Sequence, residues 1–327
     1  MDNVTAKSGY EAELKGYVDR EKAANDLLNS VGRLMYEKGV ELVYFRNHLL
    51  DINITEVLKL SNYASEVVKK PVDIFTTAET ARALLSLDLA PSKIDIAKLS
   101  HEFLHEGNGH SIEDFLSNKL SGFIGQDKHA FEPQDVILYG FGRIGRIAAR
   151  ELVKQAGKGQ QLRLRAVVTR RISEGDLVKR AALLRNDSVH GDFRGTVEVD
   201  TENMALIING QRVLFLSANN PEDLDYTSYG INNALVIDNT GVFKDREALG
   251  RHLQSRGVSK VLLTAPGSEV PNIVYGINHK ELDLENENIY SAASCTTNAI
   301  SPVLKVIEDN LGIVKGHIET VHAYTND

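Results

Sequence analysis

The sequence predicts two structural classes in series: an all-helical domain, then an α/β region built on a doubly wound parallel sheet. Three observations carry this expectation. Up to about Phe131 apolar residues recur at helical spacing and no segment reads convincingly as a strand. From Asp135 onward short apolar runs alternate with helical stretches, the order that parallel strands and crossover helices require. A glycine turn, Gly140-Phe141-Gly142-Arg143-Ile144-Gly145, joins the first of those runs to the first of those helices.

In the first region Ala24, Leu27, Leu28, Val31, Leu34 and Met35 form one apolar stripe. Val57, Leu60, Ala64, Val67 and Val68 form a second, stopped by Pro71. Thr76 with Glu79 reads as the capping box of a helix that carries Ala81, Leu84 and Leu85 and is closed by Pro91. Ser92 and Asp95 open the next helix, with Ile96, Leu99 and Phe103. Ser111 and Asp114 open a short one with Phe115 and Leu116. Residues 121–134 lack periodicity and hold Gly122, Gly125 and Pro133, so they read as a linker.

In the second region residues 136–139 form the first strand, 146–156 a helix and 162–168 the second strand, which runs into Thr169-Arg170-Arg171. Residues 196–199, 206–208 and 213–215 read as a small meander, with Asn209-Gly210 as its hairpin turn. Residues 234–237, 261–263, 273–275 and 289–293 read as further strands, with a helix over 245–254.

Composition narrows the function. Of 327 residues, 42% are hydrophobic and 25% charged, which suits a globular protein of two or three domains. A net charge of −8 without a long basic run argues against nucleic acid or an anionic membrane surface as partner. No apolar run approaches the roughly 20 residues of a membrane span, and the first residues lack the order of a signal peptide. One cysteine excludes an internal disulfide and points to a reducing, cytoplasmic setting.

The glycine turn fits G-x-G-x-x-G in the context that gives it meaning, after a strand and opening a helix. Gly140 permits the tight turn, Gly142 lets a pyrophosphate approach the backbone, and Gly145 lets helix and strand pack closely. Helix-start amides then face the anion. This is a Rossmann-type dinucleotide site. The end of the second strand selects the cofactor, because an acidic residue there would hold the ribose hydroxyl of NAD. Here stand Thr169, Arg170 and Arg171, with no carboxylate before Glu174, so the cofactor is NAD or NADP, with NADP or dual use favoured.

Cys295, in Ser294-Cys295-Thr296-Thr297-Asn298, follows a strand and precedes a helical pattern, Ile300, Leu304, Ile307 and Leu311. A thiol at a helix N-terminus is placed where dipole and free amides favour the thiolate. His322, 27 residues later, is the histidine that could activate it if the fold brings the two together.

Six blocks resemble the glyceraldehyde-3-phosphate dehydrogenase family in order. They are the glycine turn with Arg146, Asn186-Asp187-Ser188-Val189-His190-Gly191, Asn239-Thr240-Gly241-Val242-Phe243, Thr264-Ala265-Pro266, the Ser-Cys-Thr-Thr-Asn block, and His322-Ala323-Tyr324-Thr325. The resemblance implies that Cys295 attacks an aldehyde and His322 takes the proton. Hydride then passes to a nicotinamide, and inorganic phosphate releases an acyl phosphate from the thioester. The substrate implied is glyceraldehyde 3-phosphate, in glycolysis, with erythrose 4-phosphate as the alternative. Arg143 and Ile144 match the backbone that meets the pyrophosphate. Thr240, Gly241 and Thr264 match the cofactor cleft, and Ser294, Thr297 and Thr325 the phosphate sites. A homotetramer is implied for the intact protein.

Against the family pattern, Tyr139 replaces the usual Asn before the turn, and the acidic residue after the second strand is missing. The family's length implies that residues completing the substrate domain follow Asp327, and that the chain as it stands is a fragment lacking appreciable turnover. The expected division is a helical extension over 1–120, a linker over 121–133, the nucleotide-binding domain over 134–294 and the start of the substrate domain over 295–327. The extension is open to a binding or regulatory role. It also holds His101-Glu102-Phe103-Leu104-His105, an H-E-x-x-H pattern whose histidines share a helix face, with Glu106 and His110 nearby. A zinc site there is a further alternative, although Asn108 breaks the longer pattern.

Overall fold

The structure, a computed structural model, describes residues 2–107, 109–125, 133–156 and 161–322, with the backbone alone for residues 2–8. The chain divides into two compact units, Met1–Phe131 and Glu132–Asp327.

The first unit opens with α1 (Asp2–Arg33) and one wider turn, Leu34–Lys38, ended by Gly39 in the left-handed conformation at φ 71°. There follow β1 (Val40–Tyr44), β2 (Asn47–His48), α2 (Ile54–Glu66), α3 (Ile74–Ser86), β3 (Ser92–Asp95), α4 (Ile96–Glu106) and α5 (Ile112–Lys119). The unit is largely helical, but the all-helical expectation needs correction. It contains a three-stranded sheet in the order β2-β1-β3, with β1 antiparallel to β2 and parallel to β3. Val40 pairs with Ser92 across the intervening helices, a contact that local periodicity cannot show. β3 itself, Ser-Lys-Ile-Asp, buries only Ile94.

Side-chain caps fix the helix starts. Asn53, Asp73, Asp95 and Ser111 accept from the amides of Glu56, Thr76, Lys98 and Asp114. The Thr76–Glu79 box is therefore corrected: Asp73 starts α3 three residues earlier. Asp95 also accepts the Phe45 amide at 3.0 Å, which ties β1 to the start of α4. Leu27, Leu42, Tyr44, Leu84 and Leu116 lie in one continuous core. Ile124 packs on that core and bridges Leu89, so the first residues of the expected linker belong to this unit. The rest of that linker, 126–132, lies outside the described residues.

The second unit contains β4 (Gln134–Tyr139), α6 (Arg143–Gln155), β5 (Leu162–Thr169) and α7 (Glu174–Arg185). A two-residue ribbon, β6 (Asn186–Asp187) with β7 (Gly191–Asp192), precedes the meander β8 (Val197–Asp200), β9 (Ala205–Ile208) and β10 (Gln211–Ser217). Then come β11 (Ala234–Asp238), α8 (Arg246–Gly250), β12 (Val258–Leu263), β13 (Ile289–Ser291) and α9 (Cys295–Leu311). The main sheet has eight strands in the order β13-β12-β11-β4-β5-β10-β9-β8. From β10 to β13 every pairing is parallel, in the 3-2-1-4-5-6 order of the Rossmann fold. β9 and β8 continue it antiparallel, as the meander predicts. Asn209 and Gly210 turn the hairpin at φ 46° and 78°.

From Val136 to Tyr139 β4 is apolar without a break because both of its faces are covered. Val136 and Leu138 enter one core with Ala149 and Leu177, while Ile137 and Tyr139 enter another with Ala166 and Tyr226. Asp135, 7% exposed, pairs with Arg165 at 3.1 Å and accepts the Asn232 amide. The strand expected over 273–275 does not form. Asn272 makes a single bridge to Ser291, and residues 275–278 turn back on themselves.

Candidate functional site

Strand direction decides where a site can lie. In a parallel sheet all carboxyl ends share one edge, and the switch in strand order between β4 and β11 opens a crevice there. The structure has that crevice, about 850 Å³ in volume. Of the expected cofactor residues Gly140, Gly142, Thr169, Arg170, Arg171 and Thr240 line it. Arg143, Ile144, Gly145, Gly241 and Thr264 do not line it.

The glycine turn is built for close approach. Gly140 sits at φ +94°, and a Cβ there would lie 3.0 Å from Thr240 Cγ2. A Cβ on Gly145 would fall 2.4 Å from the Gly140 carbonyl oxygen, so only glycine lets α6 start this close to β4. Gly142 is different: nothing lies within 4 Å of the Cβ it lacks, and no side chain caps α6 there. The space beside Gly142 and the uncapped amides fit a pyrophosphate.

Both walls are held from behind. Arg143 turns away from the crevice to Asp187 at 3.2 Å and Ser188 at 2.8 Å. The amide and ring of His190, the Val189 amide and Arg143 hold the Asp187 carboxyl well below the usual carboxylate range. Opposite, the fully buried Asp238 accepts the Thr240 amide and hydroxyl at 2.8 and 2.7 Å and lies 2.9 Å from His252 Nε2. Thr264 Oγ1 lies 3.0 Å from the Asp238 carbonyl oxygen. Tyr139 packs edge-on against His252, and burial near Asp238 pushes its hydroxyl up to about 12.

Cys295 is exposed and is the first residue of α9, directly after β13 and thus at the same sheet edge as the glycine turn. Ser294 caps the helix: its Oγ accepts the Thr297 amide at 2.9 Å and lies 2.6 Å from Thr297 Oγ1. The bend is tight, with Ala293 at φ 59°. Asn298 clamps it by donating to the carbonyl oxygens of Ala292 and Ser294 at 2.7 and 2.9 Å. His322 Nε2 lies 3.4 Å from Thr296 Oγ1, one residue beyond the thiol. Ser294 and Thr297 border a second hollow of about 300 Å³ with Pro266, Asn272 and Ser301. Thr325 lies outside the described residues.

Comparison with known proteins adds a second line of support. Residues 134–246 match the NAD binding domain of glyceraldehyde 3-phosphate dehydrogenase, and residues 294–327 match its C-terminal domain. Over those residues the chain is similar to glyceraldehyde-3-phosphate dehydrogenase. A glyceraldehyde-3-phosphate dehydrogenase-like protein of Pseudomonas aeruginosa is 46% identical over 301 residues, 91% of this chain and 65% of that protein. The glyceraldehyde-3-phosphate dehydrogenase of Zymomonas mobilis is 39% identical over 195 residues, 59% of this chain and 54% of its own length. That of Chlamydia pneumoniae is 37% identical over 191 residues, 58% of this chain and 53% of its own. The chain spans less than two thirds of the first of these relatives and about half of the others. The Pseudomonas alignment is long enough to take in much of the first unit, so that unit is shared and not peculiar to this chain.

The matched NAD binding domain supports a nicotinamide cofactor, and every residue that lines the crevice except Arg251 falls within that match. Sequence reasoning missed several of its walls. Asp176, Lys179 and Arg180 come from α7, Asn219 and Asn220 from beyond β10, and Arg251 from the turn after α8. Asn219 and Asn220 were findable, because the residue after a parallel strand faces the crevice. Lys179 and Arg180 gave no signal, since a basic pair on a helix ordinarily faces water.

The H-E-x-x-H pattern does lie on α4, and the His101 and His105 rings are 4.1 Å apart. Glu102 is engaged by Lys119 at 2.9 Å, and His105 Nδ1 meets the His101 carbonyl oxygen at 2.8 Å. Among the described residues no three His, Cys, Asp or Glu side chains form a metal-holding group. No helix among them is long and apolar enough to cross a membrane.

Proposed function

We propose that the second unit takes part in the NAD(P)-dependent, phosphorylating oxidation of a small phosphorylated aldehyde, with glyceraldehyde 3-phosphate as the leading substrate. The observation that carries this reading is positional. A solvent-facing thiol at a capped helix N-terminus stands on the same sheet edge as a glycine-walled nucleotide crevice.

Cys295 Sγ adds to the aldehyde carbon, and His322 takes up the proton as the hemithioacetal forms. When bound, the dinucleotide supplies a hydride acceptor, which lets the adduct become a thioester on Cys295. The amides at the start of α9 face the oxygen that gains charge, and Ser294, Thr297 and Thr325 serve the attacking phosphate. Gly140, Gly142 and the amides from Arg143 to Gly145 hold the pyrophosphate. Thr240 lines the cleft for the rest of the dinucleotide, and Gly241 and Thr264 support that wall without lining it, Thr264 by donating its hydroxyl to the Asp238 carbonyl oxygen.

The adenosine end favours NADP over NAD. Arg170 and Arg171 follow β5, Lys179 and Arg180 face the same space, and among the described residues Asp176 is the one carboxylate that lines it. Arg180 Nε is buried there without a hydrogen-bond partner among the described residues. Guanidinium groups pair well with a ribose 2′-phosphate. A reducing cytoplasm suits the single exposed thiol, and the family points to a homo-oligomer.

Two measurements test this. Protein mixed with glyceraldehyde 3-phosphate and oxidised cofactor, without phosphate, gives one acyl adduct at Cys295 by mass spectrometry; Cys295→Ser gives none. Reduction that survives Cys295→Ser overturns the mechanism. Erythrose 4-phosphate in the same assay ranks the substrates. For the cofactor, Arg170→Ala with Arg171→Ala weakens NADP binding about tenfold or more, a change of about 1.4 kcal/mol per decade, and leaves NAD binding nearly unchanged. Equal losses for both cofactors refute the NADP preference.

A further inference from the structure

The face of α1 that packs into the first unit does not stop where the core stops. Ala24, Leu27 and Val31 on that face are buried. Traced back in steps of three and four residues it carries Glu21, Tyr17, Leu14 and Tyr10. Tyr10, Leu14 and Tyr17 are 66, 49 and 40% exposed, and every residue from Gly9 to Val18 is exposed. A helical stretch of this length without tertiary cover is marginal in water. A heptad-spaced apolar stripe is the usual seam for a second helix.

We propose that this stretch pairs, antiparallel, with the same stretch of a second copy of this chain. Charge selects the partner and the direction. Glu13 and Arg20 flank the stripe, and neither makes an ion pair within the chain among the described residues. The Arg20 guanidinium lies 5.6 Å from the centre of the Tyr17 ring, which keeps it beside the seam. With Leu14 set against Tyr17 of the second copy, antiparallel heptad geometry puts Glu13 beside Arg20 of the second copy. It also sets Tyr10 against Glu21 of that copy, whose carboxylate can accept from the phenol. A twofold axis repeats both contacts. A parallel pairing instead leaves Glu13 beside Val18 and Arg20 without a counterpart.

The body of the unit prolongs the seam. A groove of about 640 Å³ runs from Tyr17 and Arg20 past Leu58 to Phe75 and Leu104, the last two half exposed.

Crosslinking reads the geometry directly. Two chains are prepared, both with Cys295→Ser, one with Leu14→Cys and the other with Tyr17→Cys. Mixed and mildly oxidised, they form the heterodimeric disulfide several-fold faster than either forms a homodimer. Adding Glu13→Arg to both lowers that yield several-fold, and adding Arg20→Glu as well restores it. Circular dichroism shows every variant folded, since all four positions are exposed, with any loss of helix where pairing is broken confined to the first turns of α1. A mixed yield no higher than the homodimer yields overturns the antiparallel pairing. Failure of the reversed charges to restore the yield overturns the charge selection.

Discussion

Two glycines of one turn answer to different demands, and substitution separates them. Gly145 lacks room for a methyl group because a backbone oxygen of Gly140 occupies the place. Gly145→Ala therefore forces α6 away from β4 and lowers stability by about 1–3 kcal/mol, measured by urea unfolding. Gly142 faces open space, so Gly142→Ala keeps the stability of the parent while the added methyl enters the volume meant for the pyrophosphate. Calorimetric titration then shows cofactor affinity lowered tenfold or more; an unchanged affinity would place the dinucleotide elsewhere. Asp187 makes a pH prediction. Its folded-state carboxyl titrates lower than in the unfolded chain, so its contribution is complete above the ordinary Asp value of about 3.9. It is lost as pH falls further below that value toward the depressed folded one. Asp187→Asn lowers the melting temperature at neutral pH and flattens its decline between about pH 4 and pH 2.

At the scale of elements, caps and turns set boundaries that apolar spacing leaves open. Asp95 serves the start of α4 and the Phe45 amide together. Asp95→Ala costs more than the roughly 1 kcal/mol of a lost cap, because the small sheet loses an anchor as well. Asp73→Ala, on a cap confined to α3 and its Thr76, costs about that amount; equal losses at both positions would remove the second role of Asp95. The same elements show what the sequence made legible. β4, β5 and the meander were readable because each run is apolar and ends in a turn signal. β1 and β3 were not, because β3 has one buried apolar residue and its pairing joins positions far apart in the chain. The thiol at the start of α9 was readable from Ser294 and the helical pattern after it. The basic lining from Lys179 and Arg180 was not, because only the crossover of α7 turns that face toward the crevice.

At the scale of the molecule, each unit has its own core. Leu84 is fully buried in one and Leu138 in the other. Scanning calorimetry is expected to show two transitions, as multidomain chains commonly do. Leu84→Ala and Leu138→Ala, each removing about 2–5 kcal/mol, lower different transitions; a single transition that both lower would show the units to be thermodynamically inseparable. The doubly covered sheet has a less obvious consequence. Where one face of a strand is wet, a slip by one residue exposes apolar groups and corrects itself. β4 has no wet face, so Val136-Ile137-Leu138 would sit almost as well one place along. What denies that slip is the polar stop at its start: displaced by one residue, the Asp135 carboxylate loses Arg165 and the Asn232 amide and is stranded in an apolar layer. One buried charge thus acts as an alignment key for the whole crevice edge, so that refolding errors in its absence would appear as misaligned, stable species and not as loose ones.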